Sequence, residues 1–302
     1  MTFLAADIGG TKIAAALLAS DGTIIGHVRT AATPSTGARA VLDTVVSLLT
    51  ATADDNVEAA GISAAGVIDA ATGTVLGATS SISGWPGTPI AEHLTSALGH
   101  PVHVLGDGHA FALGEAVYGV ARDADSVLVL AVGTGVGGSY VTSRMPLLGG
   151  HCAAGHFGHL AVPQAVGIPC YCGRTGHLEA IASGPGILRW YREHGGHAGV
   201  ESARDLFARV DVDPIAAEAI RLGAAAVGAA AGGLTNAFDP DLVVVTGGVS
   251  QGGRHWESAL RDAYSATLIP ALEQTPLVIS EPTAWLALRG AAHYSQRREA
   301  AA

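Results

Sequence analysis

Apolar runs that stop at glycine-rich turns mark out the chain from its N-terminus. Residues 4–8 read as a strand that breaks at Gly9-Gly10-Thr11, resumes over 13–18, turns at Asp21-Gly22 and returns over 23–28. This is a three-strand meander with a Gly/Thr hairpin. A comparable pattern recurs as the apolar run 127–132, the glycine-rich segment 133–138 and the short run 140–142, so the two halves read as diverged copies of one unit. A third run, 242–245, ends in Thr246-Gly247-Gly248 and lies between helical stretches, the alternation of an α/β sheet. Helical periodicity falls at 38–52, 90–98, 110–118, 214–237 and 284–298. No Pro- or Ser-rich linker divides the chain. Two domains joined by short crossings, with a cleft between them, are therefore expected, the first crossing near residues 115–120.

Composition narrows the class. With 302 residues, 49% hydrophobic and 14% charged, the chain can bury a large core and is long enough for two domains. The first seven residues meet a charge and then two glycines after a short apolar run, which reads as neither a signal peptide nor a membrane span and leads us to expect a cytoplasmic protein. Three cysteines, two of them a single residue apart, argue against a secreted disulfide framework, and Cys152 is expected to be a small buried thiol. A net charge of −10 without any Lys/Arg run argues against nucleic acid or an anionic membrane as partner and favours a small molecule. Lys12 is the only lysine against fifteen arginines, a sign of GC-rich coding bias, and its survival beside the first glycine turn singles it out.

Three segments carry candidate chemistry. Asp7-Ile8-Gly9-Gly10-Thr11-Lys12 puts an acid at a strand end and backbone amides in a tight turn, which suits a closely approached phosphate with a metal nearby. A plain hairpin turn explains one such copy equally well; the related turns at Gly133-Thr134-Gly135 and Gly247-Gly248 shift the balance towards a bound nucleotide. Neither a Walker loop nor a Rossmann fingerprint is present. The second segment joins Gly155-His156-Phe157-Gly158-His159 to Cys170-Tyr171-Cys172-Gly173-Arg174-Thr175-Gly176-His177-Leu178-Glu179. Cys170 and Cys172 are too close for an ordinary disulfide, whereas two thiolates and two imidazoles, His159, Cys170, Cys172 and His177, make the tetrahedral set of a structural zinc. In the third, a strand over 102–105 passes at Gly106-Asp107 into a helix, a junction where an Asp is ordinarily an N-cap.

The order and spacing of these pieces resemble the ROK family of sugar kinases, repressors and uncharacterised proteins, within the actin, hexokinase and Hsp70 superfamily. The resemblance covers essentially the whole chain through segments 7–12, 61–66, 84–85, 101–115, 133–137, 155–159, 170–179 and 246–248. It implies an α/β fold of two ribonuclease H-like (actin-like ATPase) lobes around a central cleft. The smaller lobe would span 1–118, the larger 119–286, and a C-terminal helix over 287–302 would pack back on the first. It also implies ATP and Mg²⁺. Asp7 would lie near the metal, Thr11, Gly133 and Thr134 near the phosphates, and Gly247 and Gly248 near the adenosine, with Gly9, Gly10, Lys12 and Gly135 completing the nucleotide site. By the same resemblance Asp107 is a general base that takes the proton of a primary hydroxyl attacking the γ-phosphorus. Gly66, Gly106, Asp107, His156, His159 and Glu179 would line the sugar, and zinc would tether the loop that carries His159 and Glu179. A homodimer or homotetramer is the expected assembly.

Departures from the family pattern bear on the substrate. Gly106 stands where the family commonly has Asn, His156 where it has Glu, His177 where it has a third cysteine, and Ala65 where it often has Pro. The first two remove usual sugar contacts, so specificity should move away from glucose. Gly106 should open space beside C3, while Asp107 and Glu179 remain to compensate an ammonium group. The branch resembled is the one acting on kanosamine, 3-amino-3-deoxyglucose; glucokinase or N-acetylhexosamine kinase activity is the alternative. Family repressors carry a winged helix ahead of the first motif, which the six residues before Asp7 do not provide for. A non-catalytic sugar sensor would have no need of the proton acceptor Asp107.

Overall fold

The structure is a computed structural model that describes residues 1–78, 82–281 and 283–301. In chain order it begins β1 (Thr2–Ile8), β2 (Lys12–Ala19), β3 (Ile24–Ala32), α1 (Ala38–Thr50), β4 (Val57–Ala64), β5 (Val67–Asp69), β6 (Thr74–Gly77), α2 (Ile90–Leu98), β7 (Val102–Gly106) and α3 (Asp107–Tyr118). It continues β8 (Ser126–Val132), β9 (Val136–Thr142), β10 (Met145–Pro146), α4 (Glu179–Ala182), α5 (Gly184–Glu193), α6 (Ala203–Phe207), α7 (Pro214–Phe238), β11 (Leu242–Thr246), α8 (Arg254–Thr267), β12 (Leu277–Ile279) and α9 (Leu286–Glu299). The chain divides into two compact units. One comprises Met1–Asp123, Val141–Ala154 and Thr283–Ala302; the other Ala124–Tyr140 and Gly155–Pro282.

The first unit is built on a sheet of order β3-β2-β1-β4-β7. β1, β2 and β3 pair antiparallel, and β4 and β7 add in parallel to β1. Because side chains alternate along a strand, β1 buries two faces at once. Leu4, Ala6 and Ile8 pack with Val41, Val45 and Leu49 of α1 and with Ile90 and Leu94 of α2, whereas Phe3 and Ala5 pack with Leu288 and Ala292 of α9. That second face is close-fitting at the level of backbone. A Cβ at Gly61 would collide with the carbonyl of Ala291, one at Gly114 with that of Leu286, and one at Gly290 with that of Ala110. α9 thus lies against β4 and α3 with glycine in place of side chains at each crossing.

The second sheet has the order β10-β9-β8-β11-β12, with β11 and β12 parallel to β8. A meander followed by two parallel strands repeats the order of the first sheet, as the repeated sequence pattern predicts. α7 and α8 pack together, Gly228 and Gly232 lying against the Leu260 and Tyr264 carbonyls. By length and composition α7 could cross a membrane, yet its inward positions, among them Ile220, Val227 and Leu234, belong to the core. Asp213 caps it, accepting from the Ile215 and Ala216 amides.

Several elements differ from the sequence expectation. α8 was not anticipated, although Trp256, Leu260 and Tyr264 recur at helical spacing and are all buried. β9 begins at Val136, inside a glycine run that reads as turn, because Gly138 presses its backbone on the Val129 carbonyl of β8 where no Cβ fits. α3 starts at Asp107, three residues before its apolar periodicity. Cys152 is half-buried with φ of 54°, rather than a buried core thiol. Overpacking at the α9 crossing should be costly: Gly290→Val is expected to destabilise the chain by about 2–3 kcal/mol in denaturant unfolding. Gly233→Ala, on the exposed side of α7 with nothing near its Cβ position, should stabilise it slightly.

Candidate active site and metal centre

Strand register brings the sequence-predicted residues of the first unit to one edge. Ile8 pairs with Ala64, and Ala64 with Gly106, so the carboxyl ends of β1, β4 and β7 stand abreast. Asp7, the 9–11 turn, Lys12, Gly66, Gly106 and Asp107 all cluster there, at the end of parallel strands where α/β sheets bind ligands. The 9–11 turn is closed by the Gly9 amide on the Lys12 carbonyl (3.0 Å). Thr33 braces it, its hydroxyl donating to the Gly9 carbonyl (2.7 Å) and its amide to that of Thr11 (3.0 Å). Asp7 accepts from the Ser63 hydroxyl at 2.6 Å. Burial raises the Asp7 carboxyl above its usual range, opposed by Ser63 and the charge of Lys12. The Lys12 ammonium lies 5.0 Å from the Trp285 ring centre, a cation–π contact that holds it at the start of β2.

Asp107 is exposed and opens α3, its Oδ1 accepting from the Gly108 amide at 2.8 Å. The N-cap position itself falls to Gly106. Nothing about Gly106 is conformationally special, since its φ is −61°. The space at its Cβ position is not open, however, as the sequence led us to expect. The Gly66 carbonyl lies 3.0 Å and His109 Nδ1 3.4 Å from that point. Gly66 itself has φ of 111°, and the turn before it is fastened by the buried Trp85, whose indole N–H donates to the Ala65 carbonyl at 2.9 Å. Ser63 and Trp85 also shape this edge, although the sequence marks them only as members of the segments 61–66 and 84–85.

In the second unit the glycine turns occupy equivalent places. β8 runs into Gly133-Thr134-Gly135 and β11 into Gly247-Gly248, with Thr246 abreast of Ala131. Gly247 has φ of 103°, and its backbone passes against Val132 where a Cβ would collide. Gly184 donates to the Gly133 carbonyl (2.9 Å), and Glu179 Oε2 accepts from the Val136 amide (2.9 Å). Glu179 therefore braces the end of the glycine turn from the first residue of α4.

The candidate metal-ligand set is drawn together by backbone geometry. Gly155 and Gly158 press the 155–159 segment onto β9, against the Gly138 and Val136 carbonyls, and Phe157 between them enters the core. The 168–178 stretch folds into a small hairpin, with the Cys170 amide on the Arg174 carbonyl (2.7 Å), Gly173 and Gly176 at φ of 85° and 86°, and a bridge from Ala161 to His177. As a result one donor atom from each of His159, Cys170, Cys172 and His177 lies within 4.8 Å of all the others. Cys170 Sγ is 3.8 Å from His159 Nδ1, and Cys172 Sγ is 3.2 Å from His177 Nδ1. A tetrahedral zinc bound by sulfur and nitrogen spaces such atoms by about 3.6 Å, so the donor set fits the ion in both chemistry and scale. Burial raises the Cys170 thiol and lowers His159, the latter opposed by Glu179 and reinforced by His177 and His156. A neutral imidazole is what a metal needs, and a buried thiolate is favoured only beside a cation. His156 is exposed and stacks on His159 with ring centres 6.2 Å apart.

Similarity to known proteins identifies the family. The profile described as "ROK family" matches residues 3–298. A glucokinase of Halalkalibacterium halodurans is 30% identical over 291 residues, covering 89% of this chain and 86% of that protein. The N-acetylmannosamine kinase of Escherichia coli is 33% identical over 279 residues, covering 91% and 90%. Among solved structures, a ROK hexokinase from Thermus thermophilus superposes with a TM-score of 0.89 at 30% identity over the whole of both chains. A ROK glucokinase from Streptomyces griseus, in complex with glucose and AMPPNP, gives 0.78 at 29% identity, covering 98% of this chain and all of the other. With two sheets of matching strand order, carboxyl-edge glycine turns and a match spanning nearly every residue, the chain belongs to the ROK family and has the actin-like ATPase fold.

Proposed function

We propose that this ROK sugar kinase transfers the γ-phosphoryl group of ATP to the 6-hydroxyl of a hexose or amino sugar in the cytoplasm, with kanosamine as the favoured acceptor. The observation that carries the reading is Asp107, an exposed carboxylate at the carboxyl end of β7, on the same sheet edge as Asp7 and the 9–11 turn. A carboxylate in hydrogen-bond reach of a primary hydroxyl takes its proton as the oxygen attacks phosphorus. Asp107 is anchored for that task, one oxygen held by the Gly108 amide at 2.8 Å.

The remaining roles follow from local chemistry. The backbone amides of the 9–11, 133–135 and 247–248 turns are assigned to the nucleotide, the first two to phosphates and the last to adenosine. Asp7 is assigned to Mg²⁺: a carboxylate held by Ser63 in surroundings that raise its pKa gains from a neighbouring dication. When bound, that ion offsets charge on the transferred phosphoryl group. Gly66, Gly106, Asp107, His156, His159 and Glu179 are assigned to the sugar. His159, Cys170, Cys172 and His177 are assigned to a structural zinc, fixing the hairpin two residues before Glu179. Support for kanosamine comes from Asp107 and Glu179, two carboxylates among the residues assigned to the sugar, which suit an ammonium better than a further hydroxyl. Glucose and N-acetylmannosamine, the acceptors named for relatives, are the competing substrates, and a homodimer or homotetramer is the proposed assembly.

An ATP-dependent panel of glucose, glucosamine, N-acetylmannosamine, N-acetylglucosamine, fructose and kanosamine, ranked by kcat/KM, tests the substrate assignment. Kanosamine should lead, and glucose in first place would refute it. Asp107→Asn should lower kcat by about 100-fold or more while sugar affinity changes by about threefold or less, measured by ADP release and calorimetry. A strong chelator should release about one zinc per chain and lower both thermal stability and activity. A well-folded, active, metal-free protein would contradict the zinc assignment.

A further inference from the structure

We propose that Trp285 is a positioning residue of the nucleotide site, its ring holding the Lys12 ammonium ready for the phosphates of a nucleoside triphosphate. The proposal rests on the assignment of the 9–11 turn to those phosphates. Trp285 immediately precedes α9 and has φ of 69° and ψ of 18°, the left-handed region that bulky side chains rarely occupy. It is the largest of the described non-glycine residues with positive φ, the others being Ser143, Arg144, Cys152 and Asp239. Glycine takes such a conformation without strain and would serve if only the bend mattered. A strained residue persists where its surroundings over-determine it. Here the Trp285 carbonyl accepts from the Arg289 amide at 3.0 Å, and the half-buried side chain packs on the cluster around Phe3 and Leu288.

What the ring meets is the ammonium of the chain's only lysine, 5.0 Å from the ring centre. Lys12 is exposed and opens β2, and its carbonyl closes the 9–11 turn by accepting from the Gly9 amide. Asp7 is near enough for the lysine's charge to act on its carboxyl, yet among the described residues no ion pair joins the two. A lysine stem is long and flexible, and direct pairing with Asp7 would occupy both charges at once. A ring face attracts the cation through its quadrupole and offers no competing carboxylate. Trp285 thus holds the ammonium beside the turn while leaving it able to donate to an incoming phosphate.

A double-mutant cycle with Lys12→Met separates this role from plain packing, read by calorimetric binding of AMPPNP with Mg²⁺ to the 302-residue chain. Trp285→Leu should weaken binding about three- to tenfold when Lys12 is present and by less than about twofold beside Lys12→Met. Trp285→Phe, which keeps a weaker π face, should lose about twofold with Lys12 present and nothing measurable beside Lys12→Met. That variant carries the test if Trp285→Leu does not fold. Equal losses in both backgrounds, or no loss in either, overturn the role of Trp285 alone. A wild-type protein that binds no AMPPNP overturns the nucleotide reading and this role together.

Discussion

Parallel pairing of β1, β4 and β7 is the constraint on which the first unit's chemistry depends. Hydrogen bonding between strands fixes Ile8, Ala64 and Gly106 side by side, and that register decides where the residues after them emerge. With strands about 4.8 Å apart, the ends of β1 and β7 are separated by roughly 10 Å, a spacing set by backbone and not by the side chains it serves. A slip of one residue would turn Asp7 to the opposite face of the sheet and remove it from Ser63. The apolar residues of β1 prevent the slip, since Leu4, Ala6 and Ile8 must face α1 while Phe3 and Ala5 face α9.

Glycine does different work at different places in this fold. At Gly66 and Gly247 it supplies a positive φ that turns the chain at a strand end. At Gly61, Gly114 and Gly290, and again at Gly138, Gly155 and Gly158, it removes a Cβ so that two backbones can touch. The second use explains why the segment that carries His159 can lie on β9 at all. The same contacts carry Glu179 to the Val136 amide, linking the start of α4 to the glycine turn through one hydrogen bond.

Much of this was legible in the sequence, and apart from α8 the failures have a common cause. β1, β2, α2 and α7 could be read because their periodicity or capping is local; α2 coincides with the helical pattern at 90–98. The ligand quartet could be read because two cysteines at that spacing have few other uses, and the structure brings its four donors together. By contrast, β9 was read as starting late because its glycines answer to a neighbouring strand, and α8 was missed although three large side chains marked its buried face. The surroundings of Gly106 were misjudged for the same reason: a missing side chain looks like a cavity in sequence, but the Gly66 carbonyl and His109, distant along the chain or across a helical turn, fill it. What sequence conveys least is which backbone will approach which.

The position of α9 has a consequence for the order in which the protein is made. One face of the first sheet, around Phe3 and Ala5, is covered by Leu288 and Ala292, and β4 and α3 rest against residues 286–291. A chain synthesised from its N-terminus makes that apolar face well before the helix that seals it, because β1 precedes α9 by nearly the whole of both units. The second unit, by comparison, is complete in sequence before α9 exists. The first sheet is thus closed only after the second unit has been made, and the interval between is the time during which a nascent sheet with an uncovered face must be kept from other chains.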